Sequence, residues 1–468
     1  MDALAHALMG ALLPLPAWIW LRQQVHARFS AWVLLDAAPW CAAYLICLAT
    51  TARPLFSGAV VAGALIFMAI AQAAKRATLG DGLVFTDGGL LWQVFAHPRF
   101  YLPFVPRPIL VLAALGGLAA AVALLSLEPG LVFNPQLRIA ALVVSIALLA
   151  VILRPLFLLG RTIPACDPVK DAAHFGPLAC FALHARLAAV ARPGLQATYS
   201  PAPALHKATE AAPHLVLLQL ESFCDPRRFG VDVALQHKDT LCGTALSHGA
   251  LQVSAFGANT MRTEFAVLTG IADTALGLDR FNPYFRLARQ PLRSLAWHLR
   301  HAGYQAACWH PFNPGFFGRD KVLPALGFTR FEAAASFAQV ERARGLVSDA
   351  AIAERLTKDL ASATSPCCWY VITIAAHGPW PGEQPALAWA DCMRATDAML
   401  GDVMRAAQAS KRPVVIAAFG DHRPALAEAR GGTETDYLIW RSDRPMKNAA
   451  TKLDPVGLHH AIMAALRD

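Results

Sequence analysis

Charged residues are sparse in the first third of this chain, and its ten cysteines never fall in C-x-x-C spacing. Up to about Gly160 the sequence is aliphatic, so this part is built for a different solvent from the mixed sequence that follows. Without paired cysteine spacing, and with Cys41 and Cys47 inside an apolar run, neither a zinc ribbon nor a disulfide framework is indicated. No basic residue precedes the first apolar run, which argues against a cleaved signal sequence. No nucleic-acid motif accompanies the net charge of +9. That dispersed basic excess fits anionic lipid headgroups, and no nucleic-acid partner is expected.

Five apolar runs of near-bilayer length are present, from Leu4 to Leu21, Ala31 to Thr50, Leu55 to Ala74, Pro108 to Leu127 and Ile139 to Leu159. They predict a polytopic membrane domain over residues 1–160 with five spans. The basic residues of the connecting loops do not settle its orientation. A cytoplasmic N-terminus leaves Arg22, Arg28, Lys75, Arg76, Arg99 and Arg107 outside and only Arg53 and Arg138 inside, opposite to the usual bias. The aromatic stretch Lys75 to Arg107 reads as an interfacial segment. A proline-broken linker follows over 161–213, with one helix expected from His174 to Ala191 that rests on the membrane.

Beyond the linker, over 214–468, apolar runs and helical patterns alternate. Leu215 to Leu220, Trp369 to Ala375 and Pro413 to Phe419 read as central strands buried on both faces. Helical patterns lie at Thr263 to Leu268, Pro291 to Ala302, Asp349 to Ala361 and Trp389 to Gln408. The order predicts an α/β domain with a largely parallel sheet, whose ligands gather at the carboxyl ends of its strands.

Each of the three strands runs into polar residues: Glu221-Ser222, then His377-Gly378-Pro379, then Asp421-His422. Two carboxylates and an imidazole at one sheet edge suit Mn²⁺ or Zn²⁺ better than Ca²⁺. Thr260 follows the flexible run Gly257-Ala258-Asn259 and opens a helix, a place where backbone N–H groups favour an anion. A metal beside it would make its hydroxyl a nucleophile toward phosphorus; otherwise Thr260 or Asn259 is a helix cap. His310 and Arg319 share a loop with Phe317 that can shield and clamp a phosphate, the plainer reading of Arg319 being a surface pair with Asp320. Arg262 and Glu264 are as readily structural as catalytic. Asp349, Asp391 and Asp397 read as helix caps or surface charges. Cys224-Asp225-Pro226-Arg227-Arg228 satisfies C-x-P-x-R, the pattern many sulfatases modify to formylglycine, but it lies almost on the first strand and reads as an inert thiol.

Together, Gln219-Leu220-Glu221-Ser222-Phe223, Asn259-Thr260-x-x-x-Glu264-Phe265, Phe317-Gly318-Arg319-Asp320, His377-Gly378-Pro379 and Gly420-Asp421-His422-x-Pro424 resemble the lipoteichoic acid synthase-like branch of the alkaline phosphatase/sulfatase superfamily. The resemblance implies five spans followed by an alkaline phosphatase-like α/β catalytic domain. It implies that Glu221, Thr260, Asp421 and His422 bind a divalent metal, usually Mn²⁺, with Zn²⁺ or Mg²⁺ as alternatives, and that Thr260 is the covalent nucleophile. Arg319, His310 and His377 then contact phosphate and glycerol, and Phe317 stands where relatives often carry Trp. The implied donor is phosphatidylglycerol, and the implied place is a bacterial inner membrane with the catalytic domain facing the periplasm. The Ala- and Arg-rich composition looks proteobacterial, which makes an envelope glycan the expected acceptor. A phosphoethanolamine transferase, or a phosphodiesterase or sulfatase acting by hydrolysis, is the alternative within the same superfamily.

Overall fold

The computed structural model describes residues 3–90, 107–131, 166–190, 211–287 and 292–467, together with scattered residues of 136–154 and 205–209. Chain contacts divide the protein into two compact units, Met1–Arg192 and Pro193–Asp468.

The first unit is helical: α1 Ala3–Leu12, α2 Pro14–Gln24, α3 Trp32–Thr51, α4 Pro54–Leu79, α5 Arg107–Leu127, α6 Pro168–Phe175 and α7 Pro177–Val190. Among the described residues, α3 and α4 are the helices long and apolar enough, by length and composition, to cross a membrane. The first expected span is two short helices instead. Pro14 has no N–H for the preceding turn and its ring clashes with the carbonyl four residues back, so the chain restarts there with proline in the first turn of α2. The fourth expected span lies in α5 but counts only as the shorter apolar helix Val111–Leu127. Most of the fifth lies outside the described residues, as do residues 91–106 of the interfacial stretch.

The helix expected from His174 to Ala191 is also two. Pro177 ends one and starts the other, and the α7 amino terminus is held by a buried carboxylate: Asp36 Oδ1 accepts from the N–H of Leu178 at 2.8 Å and of Ala179 at 3.1 Å. Its other oxygen accepts from Arg22 at 2.7 Å and from the Trp18 indole at 2.9 Å. An aspartate inside an apolar helix is tolerated because every lone pair has a donor.

The second unit is built on an eight-stranded sheet in the order β10-β2-β9-β8-β1-β7-β3-β4. The strands are β1 His214–Leu220, β2 Ser247–Gln252, β3 Gln305–Trp309, β4 Arg330–Glu332, β7 Cys367–Ile372, β8 Val414–Gly420, β9 Glu434–Arg441 and β10 Thr451–Leu453, while β5 Arg342–Ala343 and β6 Leu346–Val347 form a separate hairpin. β8, β1, β7, β3 and β4 are parallel, and β9 joins antiparallel between β8 and β2. All residues of β1, β7 and β8 are buried, as the continuous apolar runs require. Burying each Val, Leu or Ile there contributes about 1.5–3 kcal/mol.

Two apolar layers cover the sheet. On one face pack α9 Thr260–Thr269 and α15 Pro455–Ala465, through Phe265, Leu268, Leu458 and Ile462; on the other pack α13 Asp349–Ser362 and α14 Pro385–Ala409, through Leu356, Trp389 and Leu400. α8 Gln236–Gly243 precedes them in sequence, and α10 Pro283–Arg286, α11 Leu295–Ala302 and α12 Arg319–Ala325 lie between α9 and α13. This is the expected α/β architecture.

Candidate active site

Strand register brings the first two carboxylates together. Leu220 of β1 pairs with Gly420 of β8 in parallel, so the next residues, Glu221 and Asp421, leave the sheet side by side. His422 follows at once. One ligand atom from each of Glu221, Asp421 and His422 lies within 4.8 Å of the others, and all three residues are buried. The turn is fixed from several sides. Ser222 donates its hydroxyl to Glu221 Oε1 at 2.7 Å and its N–H to Asp421 Oδ1 at 2.9 Å, and the Glu221 N–H donates to Thr373 Oγ1 at 3.0 Å.

The cluster fits a divalent cation on the chemistry of its donors. His422 Nδ1 is 2.9 Å from the Arg423 carbonyl oxygen, to which it donates, so the other nitrogen carries the lone pair of the neutral ring. That nitrogen, Nε2, faces Asp421 Oδ2 at 3.4 Å and Glu221 Oε1 at 3.6 Å, too long for hydrogen bonds. A lone pair and two carboxylates converging in a buried place need a positive charge among them. A backbone carbonyl on the far nitrogen of a metal-binding histidine is the usual way its tautomer is fixed. Burial pushes the Asp421 carboxyl up to about 6, and neighbouring Glu221 adds to the rise. Burial opposes charge on His422 as well, but Asp421 and Glu221 outweigh it and hold the imidazole above its ordinary value.

Thr260 opens α9 against this cluster. Asn259, in the cap position, has a left-handed backbone (φ 68°) and makes no capping bond with its side chain. Thr260 is therefore inside the first turn, where its hydroxyl favours the charged form of the Asp421 carboxyl. One turn on, Thr263 Oγ1 donates to the Asp421 carbonyl at 2.8 Å. Six non-glycine residues with positive φ occur among those described, and three adjoin this region: Ser222 after Glu221, Asn259 before Thr260, and Phe317 two before Arg319. Such conformations cost energy and collect where geometry is imposed for function.

β3 and β7 supply the rest of the edge. His310 follows β3 and is buried, with Nδ1 3.5 Å from the Ile372 carbonyl oxygen and Nε2 accepting from Arg319 Nη1 at 3.0 Å. Burial and then the Arg319 charge push its pKa well below the ordinary histidine value, so the ring is neutral. His377, beyond β7, has Nδ1 2.7 Å from the Gly378 carbonyl oxygen and is near enough for its charge to act on His310. The Phe317 ring centroid is 5.3 Å from the Arg319 guanidinium carbon.

Arg319 does not pair with Asp320 at the surface. It is buried at 2% exposure and meets Glu264 in a two-point pair, Nη2 to Oε2 at 2.7 Å and Nε to Oε1 at 3.2 Å. Burial opposes the charge, yet Glu264 holds the guanidinium firmly protonated. Three of the five guanidinium N–H groups are thus engaged by Glu264 and His310, which leaves one on each terminal nitrogen for an anion.

Two further expectations change. Asp349 is no surface charge: it is buried at the start of α13, accepts from Thr396 Oγ1 at 2.6 Å through Oδ2, and leaves Oδ1 without a partner. Asp397 caps α8 rather than its own helix, accepting from His237 N at 3.1 Å and Lys238 N at 2.7 Å, whereas Asp391 pairs with Arg394 on the surface of α14. Cys224 is fully buried, and burial raises its thiol well above the usual range, so it has no thiolate to offer. Ser222 and Glu264 both lie in the motifs that carry the resemblance, but the bonds of Ser222 to Asp421 and of Glu264 to Arg319 have no local signal, since those partners come from far along the chain.

A model of the family described as Sulfatase matches residues 213–467, just over half of the 468. Among curated proteins, the chain is 29% identical over 354 residues to the capsular polysaccharide biosynthesis protein RkpI of Rhizobium meliloti, covering 71% of this chain and 65% of that protein. It is 27% identical over 236 residues to a putative cyclic beta-1,2-glucan modification protein of the same organism, covering 48% and 36%. The chain thus spans less than two thirds of the length of either relative. Among solved structures, the Streptococcus pyogenes phosphoglycerol transferase GacH, in complex with sn-glycerol-1-phosphate, aligns at TM-score 0.48 and 21% identity over 56% of this chain and 75% of that one. On the family match, and with an acid-histidine cluster at the carboxyl edge of the same α/β sheet, this chain belongs to the sulfatase family of the alkaline phosphatase superfamily.

Proposed function

We propose that this protein is a metal-dependent phosphoglycerol transferase of a bacterial inner membrane, taking phosphoglycerol from phosphatidylglycerol to an envelope glycan through a phosphothreonine. One observation carries the reading: Thr260, at the start of α9, lies close enough to the Asp421 carboxyl to favour its charged form, beside the cluster that Asp421 forms with Glu221 and His422. A hydroxyl so placed at the start of a buried helix has a chemical use that capping does not explain, because the cap position is filled by Asn259.

Glu221, Asp421, His422 and Thr260 would hold the metal, with Mn²⁺ the first choice and Zn²⁺ or Mg²⁺ as alternatives. When bound, the ion lowers the pKa of the threonine hydroxyl and offsets charge on the phosphoryl group. The remaining steps belong to the chain. The Thr260 hydroxyl, beside Asp421, gives its proton to solvent before turnover, and the threonine oxygen attacks the donor phosphorus as the bond to diacylglycerol breaks. His377 gives the leaving alkoxide its proton. The two free N–H groups of Arg319, with His310 behind them and Phe317 alongside, bind the phosphoryl oxygens. An acceptor hydroxyl then attacks the phosphothreonine, returns a proton to His377 and frees Thr260.

A glycan acceptor is supported by the names of the two Rhizobium meliloti relatives, one assigned to capsular polysaccharide and one to cyclic glucan. A membrane location is supported by α3 and α4, and the periplasmic orientation of residues 214–468 by where phosphatidylglycerol headgroups are used on glycans. None of the ten cysteines forms a disulfide, whereas the soluble domains of phosphoethanolamine transferases usually carry them. Incubation with labelled phosphatidylglycerol and Mn²⁺ tests the proposal. It requires diacylglycerol release that depends on Thr260, and fails if Thr260→Ala releases as much as the wild type. A periplasm-dependent reporter fused after Asp468 tests the orientation, which a silent reporter would overturn.

A further inference from the structure

Glu264 is fully buried and receives donors from three other elements. Arg319 of α12 meets both of its oxygens, at 2.7 and 3.2 Å; the Tyr284 hydroxyl of α10 donates to Oε1; Gln219 of β1 donates to Oε2 at 3.1 Å. Gln219 is itself held by the Tyr370 hydroxyl of β7. A carboxylate with four donors is locked in one orientation, and so is the planar guanidinium it grips. Burial, then the negative charge of Glu264, pushes the Tyr284 hydroxyl far above its ordinary pKa, so it stays a donor.

Glu264 also sits one helical turn after Thr260, on the same face of α9. The helix is therefore fastened at two points. Its first turn holds the Asp421 carbonyl through Thr263, and the next residue holds Arg319. Through Arg319 Nη1 the same carboxylate reaches His310, whose Nε2 is kept as an acceptor.

We propose that Glu264 is a positioning residue. It fixes the free N–H groups of Arg319, and the proton of His310, at a set distance from the Thr260 hydroxyl. It acts only through Arg319 and never touches the substrate. This rests on the phosphoryl-transfer reading, so the test carries a readout that needs no donor.

The experiment is a double-mutant cycle of Glu264→Gln and Arg319→Gln in the full-length, Mn²⁺-loaded protein. Two quantities are read: affinity for inorganic phosphate, and kcat and KM for diacylglycerol release. Glu264→Gln weakens phosphate binding and raises KM by about 10- to 100-fold, by analogy with the loss of an outer partner of a metal ligand. Mn²⁺ affinity stays at the wild-type value, and the double variant is no weaker than Arg319→Gln alone. Wild-type phosphate affinity in Glu264→Gln, or losses that multiply in the double variant, would overturn the proposal. Should Glu264→Gln fail to fold, Tyr284→Phe removes one donor from the carboxylate and leaves the ion pair. It must weaken phosphate binding in the wild-type background and have no effect in Arg319→Gln. A coupled phosphate cycle without diacylglycerol release sinks the donor assignment and supports the positioning role.

Discussion

His422 turns Nε2 toward Asp421 Oδ2 at 3.4 Å while its other nitrogen is committed to the Arg423 carbonyl oxygen at 2.9 Å. With Glu221 Oε1 a further neighbour at 3.6 Å, the three groups repel unless a cation or a proton joins them. The metal chemistry proposed for this protein begins with that unfavourable convergence.

The first prediction is linkage between metal and stability. Mn²⁺ at 100 times its dissociation constant adds about 2.7 kcal/mol to the folded state, seen as a rise in Tm. Asp421→Asn removes one ligand charge and loses most of the rise. An equal rise in the variant would place the metal elsewhere.

Thr260→Ala should lower diacylglycerol release on the order of 10⁶-fold, as nucleophile removal does in other covalent enzymes. Thr260→Ser keeps a hydroxyl and retains measurable turnover. Mn²⁺-induced stabilisation surviving in both variants would show that the loss is chemical rather than structural.

Asp349 supplies a pH signature. Burial raises its carboxyl from 3.8 to about 6, with nearby Glu221 adding to the rise and Thr396 acting against it. The folded state then binds this proton more tightly than the unfolded chain. Its contribution is fully present below about pH 3.8 and is lost as pH rises through about 6. By pH 7.5 the cost is roughly 3 kcal/mol, at 1.36 kcal/mol for each pH unit. Asp349→Asn should raise stability at pH 7.5 and flatten its fall between pH 4 and 6, measured by denaturant unfolding across that range. An unchanged profile would mean that Asp349 is already neutralised by a bound partner.

Cys224 offers the reverse case. It satisfies C-x-P-x-R yet is buried with a raised thiol pKa. Cys224→Ala should leave kcat/KM unchanged, and the intact protein should show an unmodified cysteine by mass. Formylglycine at this position together with loss of activity would make Cys224, not Thr260, the nucleophile.

Much of the sheet was legible because central strands are simple sequences. The runs at Leu215, Trp369 and Pro413 correspond to β1, β7 and β8, and the polar residues after them meet because parallel register puts strand ends level. β3 and β9 were missed: β3 has only five residues, beginning with an exposed Gln305, and β9 alternates Thr435, Asp436 and Tyr437 before its apolar end. Thr260 opens α9 as expected, although the apolar pattern marks the helix only from Thr263, three residues in, because Thr260, Met261 and Arg262 precede Phe265 and Leu268. The role of Glu264 was out of reach. Its partners Gln219, Tyr284 and Arg319 lie 45, 20 and 55 residues away, and no local pattern marks them. In the first unit, hydrophobicity alone saw one span where Pro14 divides two helices.

The central claim is that Thr260 carries phosphoglycerol during turnover, and trapping that adduct tests it most directly. The Mn²⁺-loaded protein is mixed with phosphatidylglycerol without acceptor, quenched in acid, digested and examined by mass spectrometry. The account predicts phosphoglycerol on Thr260 in the peptide spanning Gly257 to Phe265, discharged when acceptor is added before the quench. An unmodified Thr260 peptide alongside continued diacylglycerol release, or an adduct on another residue, would contradict it.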